Sequence, residues 1–327
     1  PFMSERAIAL SRLEEMDVVA PVAYVPFLKN ALPPYKERFQ GLDVLHPRYW
    51  GMPPFFWKKR WMSYYQMCRR LWKDNYIPYD LMHIEWIYPD AYAFLQYAKV
   101  SAVRTVGVVH GNEAIGYFEN KKHRPYYIEA LKHLDRIIAV SADMKCKMVA
   151  EYEVDPGKIV VISNGADLSK FPIIEKPVAR QRLGLPLNAR IGICVARLSG
   201  EKNLHMLIEA IALLSDNAPL MYLIGDGPLR ANLTELINEK NVGAKVKLVG
   251  PIPHNEICTW LNAGDFFCLP SQREGCPVVI HEALACGLPV MSTMVGGIPD
   301  QICCEDYGLL CQPSDVKALS AIIAQSS

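Results

Sequence analysis

The stretch from Arg273 to Asp300, REGCPVVIHEALACGLPVMSTMVGGIPD, holds the exit of a strand, a glycine turn and the opening of a helix within a few residues. Cys268-Leu269-Pro270 ends an apolar run of strand type, Glu274-Gly275 supplies the turn, Pro277 suits the first helical position, and Val278 to Cys286 has helical periodicity. The first helical turn carries N–H groups with no acceptor inside the helix. With the positive end of the helix dipole they favour an anion, or a ring of hydroxyl oxygens, just ahead of Gly275 and Cys276. Gly275 lets such a ligand come close.

The same strand–loop–helix unit recurs along the chain. Ile191 to Ala196 reads as a strand, Arg197-Leu198-Ser199-Gly200-Glu201-Lys202-Asn203 as the loop beyond it, and Leu204 to Leu214 as a helix. Arg197 and Lys202 therefore stand at a strand's carboxyl end beside a helix start. A guanidinium can grip a diphosphate with two parallel hydrogen bonds, and an ammonium adds a point charge. Met221 to Ile224 followed by Gly225-Asp226-Gly227-Pro228 imitates a dinucleotide fingerprint but fails it, because Arg230 stands where the third glycine belongs. Val246 to Gly250 is a further strand, followed by the loop Pro251-Ile252-Pro253, and Asp315 to Ile323 is a helix. If a helical rise of about 1.5 Å per residue is applied, Glu274 and Glu282 lie on the order of 10–12 Å apart. Hydrolytic carboxylate pairs stand closer, at roughly 5–9.5 Å, so the spacing suits two ends of one extended polar ligand. His281 points about 100° away from Glu282 around the helix and reads as structural.

In the first half, Ser4 reads as the cap of a helix, Asp17 to Val22 as a strand, and Asp80 to Trp86 as a buried strand with Tyr88-Pro89-Asp90 opening another helix. Val103 to Val109 is a β-branched strand ending in His110, the position beyond a strand's carboxyl end where doubly wound sheets bind ligands. Ile137 to Ser141 and Lys158 to Ile162 complete the series. The Pro-flanked connection Pro172 to Pro177 separates an N-terminal domain, 1–171, from a C-terminal one, 178–327. The fold class expected is α/β, with helices on both faces of a parallel sheet in each domain.

A chain of 327 residues with 51% hydrophobic composition has room for two such cores. Its net charge of +1 argues against a nucleic-acid partner. Ten cysteines without C-x2-C spacing fit a reducing, cytoplasmic compartment, with Cys303-Cys304 as small fillers. No run of about 18 apolar residues occurs. Between Met52 and Lys73, Trp57, Trp61, Tyr64, Tyr65, Cys68, Leu71 and Trp72 recur at roughly helical spacing, with Lys58, Lys59, Arg60, Arg69, Arg70 and Lys73 between them. Two roles stay open for this stretch: peripheral contact with an anionic membrane, or a helix that buries its aromatics in its own domain.

Glu274, Gly275, Pro277, then Glu282 opening EALACGLPV and the pair Gly296-Gly297, form an ordered pattern that resembles the retaining family 4 glycosyltransferases of GT-B fold. The GDGPLR string and the Asn164-Gly165-Ala166-Asp167 loop are further landmarks of that family. HPRY at 46–49 with IEWIYPDAYAF at 84–94 is similar to a subgroup that includes teichuronic acid and exopolysaccharide biosynthesis enzymes. The resemblance implies two Rossmann-like, doubly wound parallel-sheet domains facing a cleft. It also implies that Glu274, with Gly275, Cys276 and Pro277, meets the donor sugar, that Glu282 holds the ribose, and that Arg197 and Lys202 hold the diphosphate. It places the base against backbone groups of the loop at Ile252, and makes His110 a catalytic candidate facing the donor sugar. Glu113 stands where the family commonly has Asp. Family members begin with a strand and a Gly-rich loop ahead of Pro1 and continue with helices beyond Ser327, so the sequence reads as a fragment. The reaction implied is transfer of a sugar from a nucleotide diphosphate sugar to a glycan or lipid-linked hydroxyl, with retention. No Asp-x-Asp occurs, so neither metal nor cofactor is expected. A GT-B sugar-nucleotide epimerase and a non-catalytic sugar-nucleotide binding module are the alternatives.

Overall fold

The computed structural model describes residues 2–25, 32–51, 59–72, 77–99, 102–111 and 122–325. Glu113 and the 52–58 and Lys73 portions of the basic aromatic stretch lie outside the described residues. Two compact units form, Pro1–Ala139 with Lys145–Ile162, and Val140–Met144 with Ser163–Ser327. Residues 163–171 thus pack with the second unit, ahead of the Pro172–Pro177 connection.

The first unit opens with a helix, Phe2–Leu10, in which Ser4 lies inside the first turn and is not its cap. The single strand expected over Asp17 to Val22 is split into β1 (Val18–Val19) and β2 (Val22–Tyr24), because Pro21 has no N–H to give a ladder. With β3 (Lys36–Phe39), β4 (Leu42–Leu45) and β5 (Arg48–Trp50) these make two small sheets, β1-β4-β3 and β2-β5, of which only the β3–β4 pair is antiparallel. The larger sheet is parallel, in the order β6 (Leu81–Ile84), β7 (Arg104–Val109), β8 (Arg136–Ala139), β9 (Ile159–Val161). Glu85 and His110 follow the last residues of the adjacent strands β6 and β7.

The second unit is one six-stranded parallel sheet. Its strands are β10 (Ile191–Val195), β11 (Leu220–Ile224), β12 (Val246–Gly250), β13 (Phe266–Leu269), β14 (Val290–Thr293) and β15 (Gly308–Cys311), and their spatial order is β12-β11-β10-β13-β14-β15. Period-two alternation divides the core. Phe266 and Cys268 of β13, with Cys194, Met221 and Cys311, pack under the helices Leu204–Leu213, Arg230–Glu239 and Val316–Gln325. Phe267 and Leu269, with Ile191 and Ile193, pack under His254–Ala263 and Val278–Ala285 on the other face. Both faces of the sheet are therefore covered, which is why its strands read as unbroken apolar runs. The chain starts at β10, winds outward to β12, and returns to β13 at the other side of β10. The connections leave in opposite directions at that point, the switch point beyond whose strand ends doubly wound sheets bind their ligands. Among the described residues no helix is long and apolar enough to cross a membrane.

The helix Arg60–Leu71 of the first unit turns Tyr64, Met67 and Cys68 inward. Trp61 meets Tyr92 edge-on at 5.2 Å, and Tyr65 meets Tyr97 at 6.3 Å. Its described aromatic side chains are thus taken up by the unit's own core, while Arg69 and Arg70 stay exposed. Behind Tyr64 lies the carboxyl of Asp90, which burial pushes up to about 7 against the opposing hydrogen bond from Tyr64 and charge of Arg60. The folded state keeps this proton to about pH 7, whereas an unfolded aspartate loses it near its ordinary value of about 4. The contribution to stability is therefore full below about pH 4 and declines as pH rises to about 7. Asp90→Asn should remove that decline, so its stability relative to the parent should climb between those limits and level off above them. Urea denaturation at stepped pH measures this, and a difference that stays flat across the range would contradict it.

Candidate active site

The loop that leaves β10 is fixed by backbone contacts before any side chain is considered. Ala196 donates to Ile224 O at 3.0 Å, Leu198 donates to Asp226 O at 3.0 Å, and Leu229 donates back to Leu198 O at 3.0 Å. These bonds bring Gly225-Asp226-Gly227 so close that a Cβ on Gly225 would stand 2.0 Å from Ala196 O, and one on Gly227 2.4 Å from Leu198 O. The string that fails as a dinucleotide fingerprint therefore serves as the buttress of the cation-bearing loop. Leu198 and Ser199 turn inward and Arg197 outward. A single turn over Gly200–Lys202 then hands the chain, through Asn203 in the left-handed region, to the helix Leu204–Leu213.

The loop that leaves β13 comes to meet it. Gln272 N–H donates to Glu201 O at 2.8 Å, joining the two strand exits. Glu274 is only 4% exposed, and its Oε1 accepts from Lys202 Nζ at 2.6 Å and from Ser271 Oγ at 2.6 Å. The next residues lie on the Gly296-Gly297 turn. Gly297 N–H donates to Gly275 O at 2.7 Å, and a Cβ on Gly296, whose φ is +56°, would meet Glu274 O at 1.9 Å. Cys276 O accepts from Asn164 Nδ2 at 2.9 Å, and Pro277 O accepts from Gln301 Nε2 at 3.1 Å. The Glu274–Pro277 loop is thus held by Lys202, Gly297, Asn164 and Gln301, all distant from it in sequence.

The helix runs over Val278–Ala285, with Pro277 extended at its N-cap and not at the first helical position. Glu274 lies four residues ahead of that helix, so a separation reckoned from helical rise does not apply to the Glu274–Glu282 pair. Glu282, itself 8% exposed in its side chain, is met by His254 Nε2 at 3.0 Å. His254 opens the helix His254–Ala263, two residues after the half-buried Ile252. His281 turns toward Ser163 Oγ at 3.4 Å and Cys276 Sγ at 3.9 Å, and burial lowers its pKa. Burial likewise pushes the Cys276 thiol up, against its hydrogen bonds with Ser163 and the Asn164 backbone.

Of the sequence-predicted residues, Arg197, Lys202, Glu274, Gly275, Cys276, Pro277, Glu282 and Ile252 all belong to the second unit, and Lys202 and Glu274 touch. His110 belongs to the first unit, where its Nε2 meets Glu85 Oε2 at 2.7 Å. Glu85 also accepts from Arg6 Nη1 at 3.0 Å and contacts His83 Nε2 at 3.2 Å. Burial raises the Glu85 carboxyl, but the hydrogen bonds from His110 and His83 and the charge of Arg6 outweigh it and hold it at about 2. Ser271, His254, Glu85 and Arg6 escape a reading of the sequence. His254, Glu85 and Arg6 meet partners distant in sequence, whereas Ser271 lies three residues before Glu274, near enough to be inferred.

A parallel sheet with its switch point between β10 and β13, coupled to a second α/β unit, is the architecture of the GT-B glycosyltransferases. The family model for glycosyl transferases group 1 matches residues 175–326, and that for glycosyltransferase family 4 matches residues 10–170. The chain is 30% identical over 307 residues to a teichuronic acid biosynthesis glycosyltransferase, TuaC, of Bacillus subtilis, covering 91% of this chain and 74% of that one. Two D-inositol 3-phosphate glycosyltransferases of Streptomyces are matched at 29% identity over 46% and 43% of their own length. In fold it is similar to a sucrose-phosphate synthase of Thermosynechococcus elongatus, with a TM-score of 0.82 at 21% identity over 99% of this chain and 83% of that one. It is also similar to HepE of Anabaena, solved in complex with UDP, with a TM-score of 0.71 at 21% identity over 86% of this chain and 76% of that one. The chain belongs to the family 4 glycosyltransferases.

The Lys202–Glu274 pair lends itself to a direct measurement. Removing the cation alone leaves a carboxylate in a nearly closed site, so Lys202→Met should cost on the order of 3 kcal/mol in urea denaturation. Adding Glu274→Gln should return most of it. A double variant no more stable than the single one would show that the two charges are not coupled.

Proposed function

We propose that the protein transfers a sugar from a nucleoside diphosphate sugar to a hydroxyl of a glycan or lipid-linked acceptor, with retention at the anomeric carbon and without a metal ion. The observation that carries this reading is the meeting of Lys202 with Glu274 at the sheet's switch point, beside exposed Arg197. A doubly wound sheet binds its ligand there. A diphosphate at the β10 exit would lie between Arg197 and Lys202, and the sugar it carries would reach the Glu274–Pro277 loop. Glu274 would accept from sugar hydroxyls and Glu282 from the ribose, with the base against the backbone at Ile252. Negative charge that develops on the departing diphosphate would be met by the two cations and by the amides at the start of the helix Val278–Ala285. Preorganised cations can perform the work a divalent ion performs elsewhere, which supports the metal-free reading. His110, fixed on Glu85, is the residue we assign from the first unit.

HepE was solved with UDP, so UDP-sugars are the first donors to test. Free thiols at all ten cysteines accord with a cytoplasmic setting. Contact with an anionic membrane surface, if made by the described part of the basic helix, would be electrostatic through Arg69 and Arg70, since the aromatic face is already buried.

Two measurements test the proposal. A product assay that separates free nucleoside diphosphate from epimerised donor should show sugar transfer, and transfer should persist in excess chelator. Activity lost to chelator and restored by magnesium or manganese would overturn the metal-free reading, and epimerised donor without transfer would overturn the reaction class. Arg197→Ala should weaken nucleoside diphosphate binding by about 10- to 150-fold, the loss of one charge-assisted contact. Calorimetry that finds the affinity unchanged would remove the diphosphate from the β10 exit.

A further inference from the structure

His254 contacts one of the two glutamates assigned to the proposed donor site. Its Nε2 lies 3.0 Å from Glu282 Oε1. The carboxylate is nearly closed off, with 8% of its side chain exposed, while the imidazole is at 38% and reaches solvent. The ring is also held from the side, because it meets Phe171 edge-on at 5.9 Å with an interplanar angle of 86°. His254 follows the N-cap Pro253, so its backbone position is set by the start of the helix His254–Ala263, directly after the loop at Ile252. The helices that carry His254 and Glu282 lie side by side on one face of the sheet.

We propose that His254 is a positioning residue for the nucleoside: its Nε2–H donates to Glu282, fixes the plane of that carboxylate, and so presents it to the ribose hydroxyls. A glutamate has three rotatable side-chain bonds, and ordering them on binding costs affinity unless they are ordered beforehand. A carboxylate has lone pairs for several donors, so the bond to His254 leaves capacity for hydroxyl groups of a ligand. Held between Phe171 and Glu282, the imidazole supplies that order in the ligand-free protein. The proposal rests on Glu282 as the ribose-binding residue and adds to it the group that aims Glu282.

The test uses the full chain and calorimetry with whichever of UDP, GDP and ADP binds most tightly, beside its 2′,3′-dideoxy counterpart and pyrophosphate. His254→Ala should weaken the ribose-bearing nucleotide about tenfold, the size of one hydrogen bond to a charged group. The same substitution should leave the dideoxy nucleotide and pyrophosphate unchanged. His254→Phe keeps the ring against Phe171 but cannot donate, and should behave like His254→Ala. His254→Gln can place an amide N–H near the position of Nε2 and should recover most of the affinity. Equal weakening of ribose and dideoxy nucleotides would make His254 a structural residue and overturn the proposal, as would unchanged binding of the ribose nucleotide by His254→Phe. If the unsubstituted protein fails to distinguish ribose from dideoxyribose, Glu282 is not the ribose-binding residue, and the fault lies in that assignment. Binding of none of the three nucleotides would remove the donor site itself.

Discussion

The contact on which the second unit's active face depends is the ion pair between Lys202 and Glu274. It joins the exits of β10 and β13, the two strands from which the sheet winds in opposite directions, and it does so at a carboxylate that is almost wholly buried. An isolated charge there would be costly, so each partner requires the other. Ser271 Oγ on the same oxygen and the Gln272 N–H on Glu201 O complete the bridge. On the proposed reading, a diphosphate beside Lys202 would share that cation with Glu274.

Around this pair the backbone is brought closer than side chains would permit. Gly225 and Gly227 press on the 196–198 strand exit, and Gly296 and Gly297 press on the 274–275 carbonyls. The glycines in GDGP and in the GG turn have one purpose in two places, which is to let one loop support another by direct main-chain contact. That support fixes the backbone that leads into the helix Val278–Ala285.

Local patterns in the sequence revealed much of the second unit and less of the first. The strand–loop–helix series, the cations at Arg197 and Lys202 and the pattern from Glu274 to Glu282 are all legible because each is contained in a short window whose period or spacing reports its conformation. The spacing of Glu274 and Glu282 does not report their separation, since Glu274 precedes the helix and helical rise does not govern it. Contacts between loops leave no period at all. His254 lies 28 residues from Glu282, and Glu85 lies 25 from His110, so nothing in either neighbourhood announces the partner. In the first unit, short strands interrupted by Pro21 and a helix that begins before Ser4 show how weakly two- and three-residue elements are specified by propensity.

The closeness of Gly225, Gly227 and Gly296 to opposing carbonyls also limits how such a protein could diversify. Any side chain at those positions would collide with main chain, which cannot swing aside as a side-chain tip can. The backbone framework around Glu274 is therefore closed to substitution at these glycines, while the side chains of Cys276, His281 and Ile252 adjoin it without forming its main-chain contacts. If the proposed donor site holds, variation of sugar or base preference has those few side chains to draw on.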